Sequence, residues 1–371
     1  MVKFTINISK EKEVKEFLQQ GDLDFITIIA LQHKCFMICD TTDIYTHINF
    51  DIISQSNLKD NCVFRISRQK LIGLIVNGMI EFTVDNDLVQ VQFLTNEYKR
   101  RYGFKCKFQT DLIGKFLRRL EILDEALEYK QVDISQILVL TRFAKSLNTN
   151  VRCDGTTACV QLKNISIYKD AKDVNFTCSG KTLLLLSKYT AKVYDVQNYL
   201  IYRSEDKAII VTKYRDIFDS ELDFIKSKPT LYTAKFSLGN IIDITRRIKF
   251  NTGKFVLDFD NKTASYKEEN IEYDIAIEVT DVVDVKNKAK SDSITVDDFD
   301  FSSMLDDTSL SLNTDKIGTH LPSIILPSET LKSVLIHLGV RSIISVEIKK
   351  NFVVLRLNGL YIVFGRKDYV E

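Results

Sequence analysis

The sequence predicts an α+β protein built as a tandem array, because one strand-to-helix unit recurs six times along the chain. In each copy a short strand with alternating apolar residues ends in a serine, and a helical stretch of about three turns follows. Two or three further strand-like runs then complete the unit. The six serines are residues 9, 67, 135, 179, 237 and 328.

Serine is a favoured N-cap of a helix, since its hydroxyl can accept a hydrogen bond from a free amide of the first turn. We therefore expect each serine to open and cap the helix that follows it. The predicted helices span 9–20, 67–77, 135–147, 179–192, 237–249 and 328–339.

Pairs of these units predict three domains, at residues 1–108, 128–228 and 229–371. Residues 109–127 form a connector with helical periodicity. Near residues 285–320 the pattern breaks into a stretch rich in serine and aspartate, with six aspartates between Asp292 and Asp307. This composition predicts a flexible acidic insertion in the third domain.

The composition is typical of a soluble protein, with 45% hydrophobic and 27% charged residues. Seven cysteines are scattered without a disulfide framework, and the amino-terminal residues contain no signal-peptide core. No apolar run approaches the length of a membrane span. The sequence therefore predicts a cytoplasmic location and no membrane partner.

Charge is segregated by structural element although the formal net charge is only +1. The six predicted helices carry 14 Lys plus Arg and 5 Asp plus Glu, whereas all other residues carry 37 and 45. Solvated helices usually mix both signs, so this excess favours a surface that binds phosphates. The candidate DNA-binding residues are Arg68, Lys70, Arg142, Lys145, Lys181, Lys188, Lys192, Arg246, Arg247 and Lys249.

With its length, three domains, paired strand-helix units and basic helices, the chain resembles a DNA polymerase sliding clamp, of the bacterial beta type or a phage relative. The segment from Ser328 through VRSIISVEIKKNFVVLRLNGLYIVFGR follows that family's last helix, hairpin and final strand. The chain departs from the family in two places. It ends in FGRKDYVE rather than in a Pro-Met-Arg-Leu tail, and its second domain lacks the Thr-Asp-Gly-His-Arg loop.

The resemblance implies a homodimer closed head to tail into a six-domain ring, with helices lining a hole for double-stranded DNA. Its implied partners are a DNA polymerase and a clamp-loader ATPase. It also implies a pocket for a partner peptide near the carboxyl terminus, with Pro229, Tyr361, Val363 and Phe364 as candidate residues. The alternative for these four residues is an ordinary role in the core or at a strand edge.

Two other functions compete with the clamp. One is a viral processivity factor that binds DNA without encircling it. The other is a P-loop-like nucleotide-binding protein, because Ser179-Gly180-Lys181-Thr182 follows a strand and opens a helix, although Asn175 stands where a P-loop has glycine. Neither a complete set of metal ligands nor a catalytic triad is evident, and we expect no catalytic residue and no cofactor.

Overall fold

The computed structural model describes all residues except 20–22, 59–60, 86–87, 95–98, 106–110, 162–164, 217, 219, 238–253, 259, 269–270, 277–278, 285–323, 328–342, 350 and 366–371. Within the described part of the chain, no helix is both long and apolar enough to cross a membrane. The predicted acidic insertion lies outside the described residues.

Contacts divide the chain into two compact units. Unit 1 comprises Met1–Leu138 with Phe176–Ile217, and unit 2 comprises Val139–Asn175 with Phe218–Glu371. The predicted division into domains at 1–108, 128–228 and 229–371 stays a prediction.

The described α-helices are Glu11–Leu18 (α1), Arg68–Leu74 (α2), Asp111–Glu125 (α3), Leu138–Ser146 (α4), Gly180–Leu186 (α5) and Leu222–Ser227 (α6). Two short 3-10 helices span Ala126–Glu128 and Ile134–Ile137. The helices predicted at 9–20, 67–77, 135–147 and 179–192 are thus confirmed as α1, α2, α4 and α5, each with shifted ends. The connector is helical as predicted. The helices predicted at 237–249 and 328–339 lie outside the described residues.

Among the four predicted helices that the structure describes, serine capping is confirmed at Ser179. Its Oγ accepts a hydrogen bond of 3.2 Å from the amide of Lys181. The prediction was wrong at Ser135, which lies inside a 3-10 helix and donates its amide to Asp133 Oδ1 at 2.9 Å. A carboxylate two residues earlier has taken the capping role there.

At Ser9 and Ser67 the capping prediction was also wrong, because groups distant in sequence satisfy the amides of the first turn. The amide of Glu11 donates to Asn77 Oδ1 at 2.8 Å, and α1 has no side-chain cap of its own. Ser67 precedes α2 without capping it, while the amide of Arg68 donates to the Asp24 carbonyl at 2.8 Å. Tertiary contacts therefore replace the local cap.

The strands of unit 1 are Val2–Ile8 (β1), Phe25–Ala30 (β2), Lys34–Asp40 (β3), Ile44–Ser56 (β4), Cys62–Ser67 (β5), Gly78–Asp85 (β6), Leu88–Leu94 (β7), Lys99–Lys105 (β8), Gln131–Asp133 (β9), Thr177–Ser179 (β13), Lys192–Val196 (β14), Tyr199–Arg203 (β15) and Lys207–Thr212 (β16). Unit 2 contributes Asn150–Cys153 (β10), Thr157–Gln161 (β11), Ile165–Asp170 (β12), Thr230–Ser237 (β17), Lys254–Asp258 (β18), Thr263–Glu268 (β19), Ile271–Ala276 (β20), Val279–Asp284 (β21), Ile324–Pro327 (β22), Ile343–Lys349 (β23), Phe352–Leu357 (β24) and Leu360–Gly365 (β25).

In unit 1 one antiparallel sheet has the strand order β8-β7-β6-β1-β4-β16-β15-β14-β9, and β3, β2 and β5 branch from β4. Alternating apolar residues fix its register. Phe4 lies opposite Phe82 across β1 and β6, with ring centroids 5.0 Å apart. The pairing of β4 with β16 joins strands from the predicted first and second domains. The sheet is therefore continuous between these two segments of the chain.

Helix α3 packs on the face of this sheet opposite to α1. Phe116 and Leu123 of α3 are buried among residues that include Phe36 and Tyr45. On β3, Phe36 points toward α3, whereas the alternate residue Cys39 lies against α1 near the Leu18 carbonyl. The amphipathic connector thus covers the apolar side chains that the repeat helices leave exposed.

In unit 2 the strands run in the order β10-β11-β12-β25-β24-β23-β17-β21, and β20-β19-β18-β22 form a separate sheet. The pairing of β12 with β25 joins strands from the predicted second and third domains. A two-residue turn connects β24 to β25, with positive φ at Asn358 (46°) and Gly359 (75°). Asn-Gly is the sequence that favours such a turn, and it sets the register of the last hairpin.

Candidate functional site

Five of the candidate DNA-binding residues lie on the described repeat helices. Arg68 and Lys70 are on α2, Arg142 and Lys145 on α4, and Lys181 on α5. Arg68 is half-buried and the other four are exposed. Such residues offer flexible cationic side chains that suit contacts with phosphate rather than with bases.

The packing of α4 explains why its cations face solvent. Leu140, Phe143 and Ala144 are buried, so the helix places Arg142 and Lys145 on the opposite side. Helix α5 is amphipathic in the same way, because Leu183 and Leu186 are buried and Lys181 is exposed.

Lys188 and Lys192 are not on a helix, so the prediction that α5 extends to residue 192 was wrong. The chain tightens after Leu186, where the amide of Lys188 bonds to the Leu185 carbonyl at 3.1 Å. Lys192 is the first residue of β14 and lies opposite Asp133 on β9. Both lysines are exposed. Arg246, Arg247 and Lys249 lie outside the described residues.

The candidate partner-peptide residues lie in unit 2, where α6 packs on the sheet. Leu222 and Ile225 of α6 are 0% and 3% exposed. They contact an apolar patch formed by Cys159, Tyr168, Val354 and Val363. Burial raises the pKa of the Cys159 thiol to about 12 and that of the Tyr168 hydroxyl to about 12, so both groups stay neutral.

Tyr361 lies beside this patch, and two cations are close to its ring. Lys226 Nζ is 4.6 Å from the centre of its ring, and Arg356 Cζ is 5.2 Å from it. Arg356 also donates to Glu347 Oε1 at 2.6 Å, which raises the pKa of the guanidinium above its usual value. A cavity of about 350 Å³ opens here, lined by residues that include Leu222, Ile225, Lys226, Lys349, Arg356 and Tyr361.

Lys349 holds the chain around Pro229 in place. Its ammonium group is buried and donates hydrogen bonds to the Lys228 carbonyl at 2.8 Å and to Thr230 Oγ1 at 3.1 Å. A longer bond of 3.4 Å reaches the Lys226 carbonyl at the end of α6. A cation that binds the last carbonyls of a helix stabilises that end. Pro229 itself is exposed.

The alternation of β25 separates the remaining candidates. Val363 lies in the apolar patch beneath α6, whereas Phe364 is 1% exposed, pairs with Val353, and is not a lining residue of the described cavity. Two of the four candidates, Tyr361 and Val363, are therefore brought together with α6. The burial of Phe364 favours the alternative of a core role for that residue.

Sequence reasoning missed α6 and the cations Lys226, Lys349 and Arg356. The only available signal was the apolar pair Leu222 and Ile225, spaced by three residues, and a helix of 6 residues is too short for periodicity to identify.

The P-loop-like alternative is not favoured by the geometry at α5. The hydroxyl of Thr182 donates to the Ser179 carbonyl at 2.9 Å, and Thr182 is buried. A P-loop uses this hydroxyl as a magnesium ligand. Among the residues that the structure describes, no group of three or more His, Cys, Asp or Glu side chains is arranged to hold a metal ion.

Known structures of sliding clamps match the architecture over nearly its full length. A putative DNA polymerase III beta subunit from Eubacterium rectale has a TM-score of 0.65 and 8% identity, covering 98% of each chain. The Bacillus subtilis sliding clamp has a TM-score of 0.62 and 11% identity, again over 98% of each chain. The chain has the sliding-clamp fold.

A third match is the Helicobacter pylori beta clamp, which was crystallised with a DNA ligase peptide. It has a TM-score of 0.59 and 9% identity, over 98% of this chain and 99% of that one. No family model and no curated protein matches the sequence. The predicted fold class is confirmed by these structures, although the sequence identity is only 8–11%.

Proposed function

We propose that this protein is a DNA sliding clamp, a non-catalytic homodimeric ring of six domains that encircles duplex DNA without sequence specificity and tethers the replicative polymerase. The observation that carries the proposal is the sliding-clamp fold over 98% of the chain. The exposed cations of the repeat helices support it. Lysine and arginine side chains on helices can contact phosphates while a ring slides, because such contacts carry no base information.

The edges of the two sheets support a head-to-tail assembly. In the described part of the chain, β8 pairs only with β7 and β21 pairs only with β17, so each is a sheet edge. An exposed edge strand is a ready template for another strand. By sequence, β8 carries Lys99, Arg100, Arg101 and Lys105, whereas β21 carries Asp281 and Asp284. We propose that β8 of one copy pairs with β21 of the next and thereby closes the ring.

Partners and location follow from the same proposal. The Helicobacter pylori clamp binds a DNA ligase peptide, and we expect an equivalent partner site here beside Tyr361, Val363 and Pro229. A separate clamp-loader ATPase would open the ring onto DNA in the cytoplasm, either of a bacterium or of a host cell infected by a phage.

Native mass and DNA topology together test the proposal. The purified protein should have the mass of a dimer and, once loaded, should remain on closed circular DNA and slide off after linearisation. A monomer that is retained equally on both DNA forms would support the rival, a viral processivity factor that does not encircle DNA. Absence of retention on circular DNA after loading would overturn the clamp assignment.

A further inference from the structure

Helix α6 covers the sheet surface at which the proposed partner site lies. Its two buried side chains, Leu222 and Ile225, pack on Val354 and Val363 of the apolar patch. Tyr361, another candidate for partner contact, also packs against this cluster. The chain therefore already occupies with its own segment the surface that a partner peptide would need.

The features of α6 are those of a segment that can leave its position. It has 6 residues, and a helix this short is unstable in water without tertiary contacts. Its buried side chains are one apolar pair at a spacing of three residues, while Phe224 between them is 55% exposed. The other side-chain contacts of α6 with the sheet are at the surface, where Lys226 lies over the Tyr361 ring and pairs with Asp170 at 3.3 Å. The adjoining cavity of about 350 Å³ shows that α6 fills this surface incompletely.

The contacts of Lys349 define where such a movement would pivot. Its bonds to Lys228 and Thr230 fix the chain directly after α6. The described residues just before α6, including Phe218 and Ser220, form neither helix nor strand. Release of α6 would therefore leave Pro229 and β17 in place and would expose the patch.

We infer that α6 is a resident competitor for the partner site, and that partners bind with a short apolar segment of the same pattern, two aliphatic anchors spaced by about one helical turn. This inference rests on the proposed tethering function. A partner must displace α6, so its apparent affinity is reduced by the fraction of molecules in which the patch is covered. Competition of this kind would favour partners that offer several contacts over isolated peptides.

A peptide with the sequence of α6 provides the probe. Fluorescein-labelled IFDSELDFIKSK, residues 217–228, is titrated against the full-length protein and against the double variant Leu222→Ser with Ile225→Ser. We expect the variant to bind the peptide about tenfold more tightly than the unaltered protein, because its own α6 no longer competes. The matched controls are Phe224→Ser in the protein, which alters the exposed side of α6, and a peptide with both anchors replaced by serine, which should not bind.

The unaltered protein provides a second readout if the double variant does not fold. A large excess of the peptide should accelerate hydrogen exchange of the backbone amides in α6. Unchanged exchange, or a folded double variant that binds no more tightly than Phe224→Ser, would overturn the inference. Neither outcome alters retention on circular DNA, so failure of this inference and failure of the clamp proposal are distinguishable.

Discussion

The Nζ atom of Lys349 donates a 2.8 Å hydrogen bond to the carbonyl oxygen of Lys228. This contact fixes the chain at the end of α6 to the strand β23, and it does so with a lysine side chain that is only 4% exposed. Glu347 lies 3.5 Å away and supplies a compensating charge. A buried cation with this many acceptors sets the position of the chain on both sides of Pro229.

Replacement of Lys349 by methionine should lower the free energy of unfolding by roughly 1–3 kcal/mol, because buried acceptors around Lys228 and Thr230 lose their donor. Urea denaturation measures the change. Lys34→Met is the matched control, since Lys34 is exposed and its ion pair with Asp51 at 3.7 Å should contribute little. Equal stability of both variants would contradict a structural role for Lys349.

Reversal of charge on the repeat helices should weaken the affinity of the protein for short linear duplex DNA. The triple variant Arg142→Glu, Lys145→Glu and Lys181→Glu changes exposed positions, so folding and assembly should persist. Each lost phosphate contact should make the logarithmic dependence of duplex affinity on salt shallower by about 0.9, because this affinity, unlike topological retention on a closed circle, depends directly on phosphate contacts.

The control for this experiment reverses three exposed lysines outside the helices: Lys34, Lys130 and Lys262. The affinity of both triple variants for a short linear duplex is measured at rising salt. If the two variants lose affinity equally, the helices have no special part in contacting DNA.

The proposed pairing of β8 with β21 predicts a charge-dependent dimer. Lys99→Glu with Arg101→Glu should shift the native mass from dimer toward monomer, because like charges would then face each other across the joint. Adding Asp281→Lys and Asp284→Lys to the same chain should restore the dimer. A dimer that resists the first pair of changes would mean that another surface forms the joint.

The repeat architecture was predictable because alternating apolar residues define strands over short distances. Runs such as FITIIAL and KCFMICD appear in the structure as β2 and β3. Helix starts were predictable only approximately. The amides that Ser9 and Ser67 were expected to satisfy are bonded instead by Asn77 and by the Asp24 carbonyl, and neither group is adjacent in sequence.

The candidate site was less predictable than the fold. The resemblance suggested Tyr361 and Val363 as candidates, which stays a prediction, but a linear sequence does not reveal that Leu222 packs on Val363, more than a hundred residues later. The resemblance also placed Phe364 in the same pocket as Tyr361. Strand alternation, however, brings Val363 rather than Phe364 into the patch beneath α6.

Acidification should destabilise the protein through His47. Burial, with a smaller contribution from Arg203, lowers the pKa of His47 from 6.5 to about 4, and Tyr45 Oη lies 2.9 Å from Nδ1. Between these two values the unfolded chain binds a proton that the folded chain does not, so the free energy of unfolding falls as pH drops from 6.5 toward 4. The loss should reach about 3 kcal/mol.

His47→Gln should remove this part of the pH dependence, because glutamine can accept a hydrogen bond from the Tyr45 hydroxyl or donate one to it but does not titrate. Urea denaturation at a series of pH values measures the slope. His33→Gln, which removes an exposed histidine, is the control and should keep the slope of the unaltered protein. A slope that survives in His47→Gln would assign the acid sensitivity to other groups.

Alanine substitutions at Tyr361 and Phe364 should have different effects, the first on partner binding and the second on the free energy of unfolding. Phe364→Ala removes a ring that is 1% exposed and should lower the free energy of unfolding by about 3–5 kcal/mol, through lost burial and the cavity left behind. Tyr361→Ala removes a partly exposed ring that contacts Lys226 and Arg356, so its effect on stability should be below about 1 kcal/mol. We expect Tyr361→Ala to reduce stimulation of the cognate DNA polymerase while the dimer and its retention on circular DNA persist. If Tyr361→Ala still stimulates the polymerase fully, the surface beside α6 is not the partner site, whatever the stability of Phe364→Ala.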